Sequence, residues 1–437
     1  MRGPLCFGYG LLPDGEQVVM KGAGLGRILR NVGALLFGVS ILLLGAGLFQ
    51  TFLSLRMAFE HFGALTIGAI LAAYFAGFMA GSTLAGNIVR RVGYIRAFAI
   101  FSALLSSSVL FQALIIDPIA WAALRACGGF AIAGLFLVTE SWLNHRSDEA
   151  TRGQVLALYV MVEQVATGLG QYLIDLLPTG GTGSFILTAG LFILALIPVA
   201  ATDAEAPLPA AHSTLSIGRL FRITPLGVLG SLFAGLINSA FSGLGPIYAQ
   251  GIGLSTGLIS VFMSITVLGA LIFQLPVGRL SDRFDRRSVL LVIIISLTAV
   301  SGVLSVADGF GIWALLGLAL VFGGFSQVIY PVTAAHANDY VEEADRVAAA
   351  GALLLAYGIG ATIGPLLGSV LMDWLGPVGL FVYIIVTSAA LAGVVAVRMV
   401  ARDARPAHLQ TRFQLVSSST PAAAELDPRT HPRKPTP

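Results

Sequence analysis

The stretch "VTESWLNHRSDEATR", from Val138 to Arg152, gathers Glu140, Asp148, Glu149, His145, Arg146 and Arg152 between long apolar runs. Carboxylates beside an imidazole and two guanidiniums are the materials of general acid–base chemistry. Further on stands Glu163, followed by Gln164 and then Gln171. Arg125 precedes the cluster, in "LRACGG". Whether these groups form a catalytic cluster depends on the elements that carry them.

Those elements are oily. The chain of 437 residues is 56% hydrophobic and 11% charged, against about 25% charged residues in a soluble domain. Apolar runs recur from Leu29 to Met399, each long enough to cross a hydrocarbon core of about 30 Å at about 1.5 Å per helical residue. They predict helices over 28–53, 63–88, 95–115, 118–141, 153–177, 184–202, 224–249, 257–280, 288–307, 310–335, 347–374 and 377–400. Barrel strands would alternate apolar and polar residues, and these runs do not.

The arginines set the topology. One set of connections carries Arg90, Arg91 and Arg96, then Arg146 and Arg152, Arg219 and Arg222, Arg279, Arg283, Arg286 and Arg287, and Arg346. Arg27 and Arg30 before the first helix and Arg398, Arg402 and Arg405 after the last join that set, whereas the opposite set holds Arg56 alone. Positive residues concentrate on cytoplasmic loops, so both termini are expected in the cytoplasm and the chain in the cell's inner membrane. Arginines spread over loops serve topology rather than a nucleic-acid surface. Cys6 and Cys127 lie in a tail and a helix and predict no disulfide or zinc site, and the six histidines show no metal-ligand spacing. The first twenty residues do not resemble a secretory signal, and Met20, before Lys21, is an alternative start.

The chain repeats itself. "VTESWLNHRSDEATR" returns from Val332 as "VTAAHANDYVEEADR", with Val, Thr, Asn, Glu, Ala and Arg in register. Tyr159, Gly170 and Asp175 recur as Tyr357, Gly368 and Asp373. A separation of six helices, an even number, implies two parallel repeats about an axis along the membrane normal. The expected organisation is a cytoplasmic tail over 1–27, a six-helix bundle over 28–202, a cytoplasmic linker over 203–223, a second bundle over 224–400 and a disordered cytoplasmic tail over 401–437. The fold class expected is an all-α membrane protein of twelve transmembrane helices.

"GRLSDRFDRRSVL", from Gly278 to Leu290, resembles the cytoplasmic loop motif of the major facilitator superfamily, with Asp285 where that family usually has Gly. "GNIVRRVGYIR" from Gly86 is a degenerate copy with Arg90 in place of the Asp. Arg125 and the glycines after it resemble the family's fourth-helix motif. Within the superfamily the chain is most similar to the YcaD-like permeases, through "FAGFMAGSTLAGNIVRRVGYIRAF", "VTESWLN", "RGQVLALYVMVEQVATGLGQYL" and "YPVTAAHAN". The resemblance implies alternating access about a central cavity, often driven by a proton gradient. The Gly-rich "GAGLGR" and "GGTGS" continue into no nucleotide fingerprint or P-loop Lys, and no nucleophile–base pair stands at membrane depth, so no enzymatic activity is expected.

The residues then take roles. By helical rise Glu163 lies about 16 Å inward from Arg152, near mid-membrane, where an ionisable group is costly and faces a cavity or a partner. It is the leading candidate for proton or substrate binding, with Arg125, Gln164, Gln171, Gln50, Asn238, Gln274, Gln327 and Tyr330, and also Gln112, as further cavity candidates. Asp282, Arg283, Arg286, Arg287, Arg152, Glu140, Arg90 and Arg91 are the candidate cytoplasmic gate. There Asp282 is expected to latch onto Arg152, and Glu140, whose repeat counterpart is Ala334, onto Arg90 or Arg91. Gly360, Gly364 and Gly368 share one helix face and predict close packing. The expected function is proton-coupled secondary transport of a small solute by a monomer without cofactor or metal, export being favoured over uptake. A facilitative uniporter and a transporter-fold sensor without net flux are the alternatives.

Overall fold

The computed structural model describes residues 22–147, 151–201, 215–307, 309–401, 410, 411, 413, 414 and 420, with the backbone alone for 22–31 and 344. Asp148 and Glu149, the linker residues 203–214, and the N-terminal stretch with Cys6 and Met20 lie outside this set, as does most of the C-terminal tail.

Every regular element among the described residues is a helix. The first half runs α1 (Gly22–Phe59), α2 (Ala64–Val92), α3 (Tyr94–Leu114), α4 (Pro118–His145), α5 (Arg152–Tyr172), and α6 (Gly183–Leu194), which continues as the short α7 (Leu196–Ala200). After α8 (Ile217–Ile223), the second half runs α9 (Pro225–Gly251), α10 (Thr256–Arg283), α11 (Arg286–Ser305), α12 (Ile312–Asn338), α13 (Arg346–Leu375) and α14 (Gly379–Ala401). Counting α6 and α7 as one, these are twelve spans plus α8. Helices are the required answer in hydrocarbon, because each satisfies its own backbone polar groups.

Local chemistry marks the ends. Asp117 accepts the Ala120 N–H at 2.8 Å ahead of Pro118 and starts α4. Thr224 caps α9 ahead of Pro225 in the same way. Gly93, at φ +84°, breaks α2 from α3, a conformation only glycine adopts without strain. α1 exceeds the 28–53 expected of it because no residue inside 22–59 stops a helix; the break comes at His61 and Gly63. α8 was not anticipated inside the linker; Ser216 caps it by accepting the Arg219 N–H at 3.2 Å.

Reciprocal glycines set the packing within each half. A Cβ added to Gly77 on α2 would lie 2.0 Å from the Ala126 carbonyl oxygen on α4, and one on Gly129 of α4 would lie 2.0 Å from the Tyr74 oxygen on α2. Gly269 and Gly323 stand in the same relation across α10 and α12, Gly47 and Gly170 across α1 and α5, and Gly235 and Gly360 across α9 and α13. The α2–α4 and α10–α12 pairs are repeat mates, as are α1–α5 and α9–α13, so the same backbone contact is built twice. Gly360 and Gly364 both press on α9 backbone, as the one-face spacing predicts, and Gly368 meets Leu244 of the same helix. Each half also has an aromatic nucleus: Phe52, Phe185 and Trp121 in the first, Phe241, Tyr248, Phe322 and Phe381 in the second.

Between halves, α2 lies along α13 and α5 along α10. Ser54 Oγ donates to the Gly243 oxygen at 2.7 Å, Ser264 Oγ donates to the Gly168 oxygen at 2.8 Å, and Gly68 abuts Ser369. Ser54, Gly68, Ser369 and Gly243 all belong to the arginine-poor ends of their helices.

Candidate functional site

Where α1, α2, α4 and α5 face α9, α10, α12 and α13, they enclose a cavity of about 290 Å³. That is near the lower end of the roughly 300–1,000 Å³ typical of small-molecule sites. Seven of the sequence candidates line it together: Gln50, Arg125, Glu163, Gln164, Gln171, Asn238 and Gln327. They come from both halves and from five helices. α5 supplies three of them and is the least apolar of the long helices, as a cavity-facing span must be.

Gln274 and Tyr330 do not line the cavity. Both are buried, and Tyr330 stacks edge-on against Tyr357 at 5.4 Å between centroids. Their polar atoms fitted the sequence argument, but a polar group in a membrane helix faces either a cavity or a neighbouring helix, and here the helix rotation selects the neighbour. Gln112 is likewise buried outside it.

Sequence reasoning missed the aromatic wall. Phe49, Tyr74, Phe78, Phe136, Phe241 and Tyr357 all face the cavity. Tyr74 and Phe78 sit one turn apart on α2, a spacing equally expected of core residues, so only the hydroxyl of Tyr74 distinguished it. The Arg125 guanidinium lies over the Tyr74 ring, 4.1 Å from its centroid, and 5.4 Å from that of Phe49. A smaller cavity of about 160 Å³ opens at the α5–α10 seam and shares Gln164 and Val267 with the central one.

The arginine-rich ends hold a separate polar cluster. Arg286 donates from Nε to Asp339 Oδ2 at 2.7 Å and from Nη1 to Ser281 Oγ at 3.0 Å, and lies 3.5 Å from Asp282. Asp282 Oδ1 also accepts the Phe413 N–H at 2.7 Å. Arg152 is not among its partners, so the expected latch is corrected: the neighbour of Asp282 sits one turn away on the following helix. Arg287 pairs with Asp285, which caps α11, and Arg283 is exposed.

Glu140 is wholly buried and accepts the Tyr159 hydroxyl at 3.0 Å from α5 and that of Thr420 from the tail. Arg90 and Arg91 are exposed, and Arg90 donates to Asn87. The expected pairing of Glu140 with either arginine is not formed: Glu140 lies in the interior, where the two hydroxyls reach it, and both guanidiniums lie at the surface. Of the acid–base cluster that opened the question, the described residues are the end of α4 and the start of α5, with Glu140 held by hydrogen bonds.

Relatives carry the same architecture. The model of the Major Facilitator Superfamily matches residues 35–271 and 227–433. The transporter named "Uncharacterized MFS-type transporter YcaD" from Shigella flexneri is 30% identical over 347 residues, covering 79% of this chain and 89% of the relative. Its counterpart from Escherichia coli O81 (strain ED1a) gives the same figures. Among solved structures, the nucleoside transporter NupG superposes with a TM-score of 0.71 at 16% identity, over 85% of this chain and 98% of that one. A bacterial homologue of the human lysosomal transporter Spinster, inward-facing and unoccupied, gives 0.66 at 12%, over 89% and 98%. At those identities the likeness speaks for the fold. With twelve helical spans, two matching halves, the loop motif at Gly278–Arg287 and these relatives, the chain belongs to the major facilitator superfamily of multi-pass membrane transporters, which are not enzymes.

Proposed function

We propose that the protein is a secondary active transporter that carries a small solute by alternating access, coupled to protons at Glu163. The observation that carries this reading is that Glu163 and Arg125 line one cavity between the two halves. A carboxylate there can take or release a proton as the two halves, 28–202 and 224–400, rock about it. Arg125, Tyr74 and Tyr357 are the other titratable groups on the wall, and each alternation would change their access to water. The arginine-rich connections support a cytoplasmic location for both termini in a bacterial inner membrane, and a central cavity walled by both halves of a single chain supports a monomer as the working unit.

The test is flux in proteoliposomes under an imposed pH gradient, comparing the native chain with Glu163→Gln. A proton carrier at Glu163 gives gradient-driven accumulation in the native chain. The variant should keep only exchange or downhill flux, independent of pH. Gradient-driven accumulation of equal size in Glu163→Gln refutes the role. Downhill flux without any gradient response in the native chain identifies a uniporter, and no flux at all identifies a sensor.

A further inference from the structure

We infer that the central cavity takes a small organic anion, a monocarboxylate with an aromatic or otherwise apolar body, docked on the Arg125 guanidinium. This deepens the transport reading above and rests on it for the site being a route as well as a binding pocket.

Four arginines are buried among the described residues: Arg56, Arg125, Arg286 and Arg287. Three have a carboxylate, respectively Glu60, Asp339 and Asp285. Arg125, 8% exposed, has none, and its Nε has no hydrogen-bond acceptor. Glu163 shares the cavity but is not its ion-pair partner. An uncompensated buried charge is strongly unfavourable, so a cation kept this way in a ligand-sized cavity is matched to an anion that arrives from outside.

The geometry suits a carboxylate. Tyr74 and Phe49 contact the guanidinium as rings. Such contacts engage the cation's charge and leave the in-plane N–H fork unused. That fork fits a carboxylate in bidentate fashion. One guanidinium is too little for a dianion such as a phosphate monoester. With Glu163 protonated the lining carries a single positive charge, which a monoanion neutralises. The rest of the wall is largely apolar and aromatic, with Phe78, Phe136 and Phe241 prominent. The Asn238 Oδ1 and Gln171 Oε1 atoms, also without partners, leave acceptors for a donor group on the solute.

The experiment uses the full-length protein in detergent and three acid–amide pairs as probes: benzoate with benzamide, 4-phenylbutyrate with its amide, and indole-3-acetate with its amide. Benzylammonium serves as the cationic control. Calorimetric binding should favour at least one acid over its amide by about tenfold or more, the scale of losing a charge-assisted contact. Benzylammonium should not bind. Arg125→Gln should erase the acid–amide difference, and Arg125→Lys should keep part of it. Equal binding of acid and amide, binding of benzylammonium in place of the acids, or failure of every acid to bind overturns the inference. So does an unchanged acid–amide ratio in Arg125→Gln. The acid–amide comparison is made on the native chain, so it stands even if the Arg125 variants fail to fold. Binding of an acid with no flux in proteoliposomes would sink the transport reading and leave the carboxylate site in place. Flux of neutral or cationic probes alone would do the reverse.

Discussion

Arg286 and Asp339 form an ion pair of 2.7 Å with side chains 1% and 2% exposed, tying the first turn of α11 to the end of α12. Breaking one side of such a pair leaves a charge stranded in the interior. Asp339→Asn is expected to cost about 3 kcal/mol, the low end of the range for buried pairs, because Asp282 remains 3.5 Å from Arg286. The measurement is the thermal unfolding midpoint in detergent. The double change Arg286→Met with Asp339→Leu should recover much of the loss, since both charges then leave together; a double variant no better than the single one would show that the pair is not the source.

The reciprocal glycines give a sharper contrast. Gly129→Ala on α4 and Gly323→Ala on α12 each drive a methyl to 2.0 Å or less from a backbone carbonyl of the neighbouring helix. Neither helix can yield locally, so each change should destabilise by about 3 kcal/mol, as severe overpacking does, and reduce the monodisperse fraction on size exclusion. Gly317→Ala, on α12 but with open space around its added methyl, should behave as native. Equal loss in all three would refute the packing account, since alanine is the better helix former and propensity alone would raise stability in each.

The long apolar runs made every span legible, because a continuous apolar run can satisfy its backbone in hydrocarbon only as a helix, whereas barrel strands alternate. Even α5, with Glu163, Gln164 and Gln171, is read over 153–177 from its apolar run. Within the site, depth was legible and direction was not. Glu163 and Arg125 were placed by counting residues inward. Gln274 and Tyr330 lie at similar depth yet turn to neighbours, since a few tens of degrees of helix rotation decides which wall a side chain joins. Charge partners were least legible of all. Asp282 and Glu140 were assigned to arginines by complementarity, whereas their partners include a tail backbone N–H and two hydroxyls, groups with no sequence signature.

Arg56 is the one arginine on the otherwise arginine-poor connections, and its contacts explain the exception. Its Nη1 donates to the carbonyl oxygens of Thr179 at 3.1 Å and Gly181 at 3.0 Å, and Nη2 pairs with Glu60 at 2.5 Å. It therefore fastens the α5–α6 connection to the end of α1. Arg56→Gln should lower stability by about 2 kcal/mol, the scale for hydrogen bonds to a charged group, with no change of orientation. Thermal midpoints report the first and labelling of single cysteines from each side of the membrane the second. An inverted or mixed topology would mean that Arg56 acts as a topological charge after all.

Described residues of the C-terminal segment are held to both halves by three acids, of which Glu140 and Asp282 were expected to pair with arginines. Thr420 donates its hydroxyl to Glu140 of α4. Thr411 donates its N–H and hydroxyl to Asp339, each at 2.9 Å, and the Phe413 ring lies against Gly278 of α10 while its N–H meets Asp282. Proteolysis of a docked segment follows the fraction of time it is released. Asp282→Ala and Phe413→Ala each remove an anchor, so trypsin should cut among the arginines between Ala401 and Phe413 several-fold faster in either variant than in the native chain. Asp282→Asn keeps an acceptor oxygen for the Phe413 N–H and should fall between them, because what it loses is charge assistance alone. Identical cleavage rates across the series would show that these contacts do not hold the segment in solution.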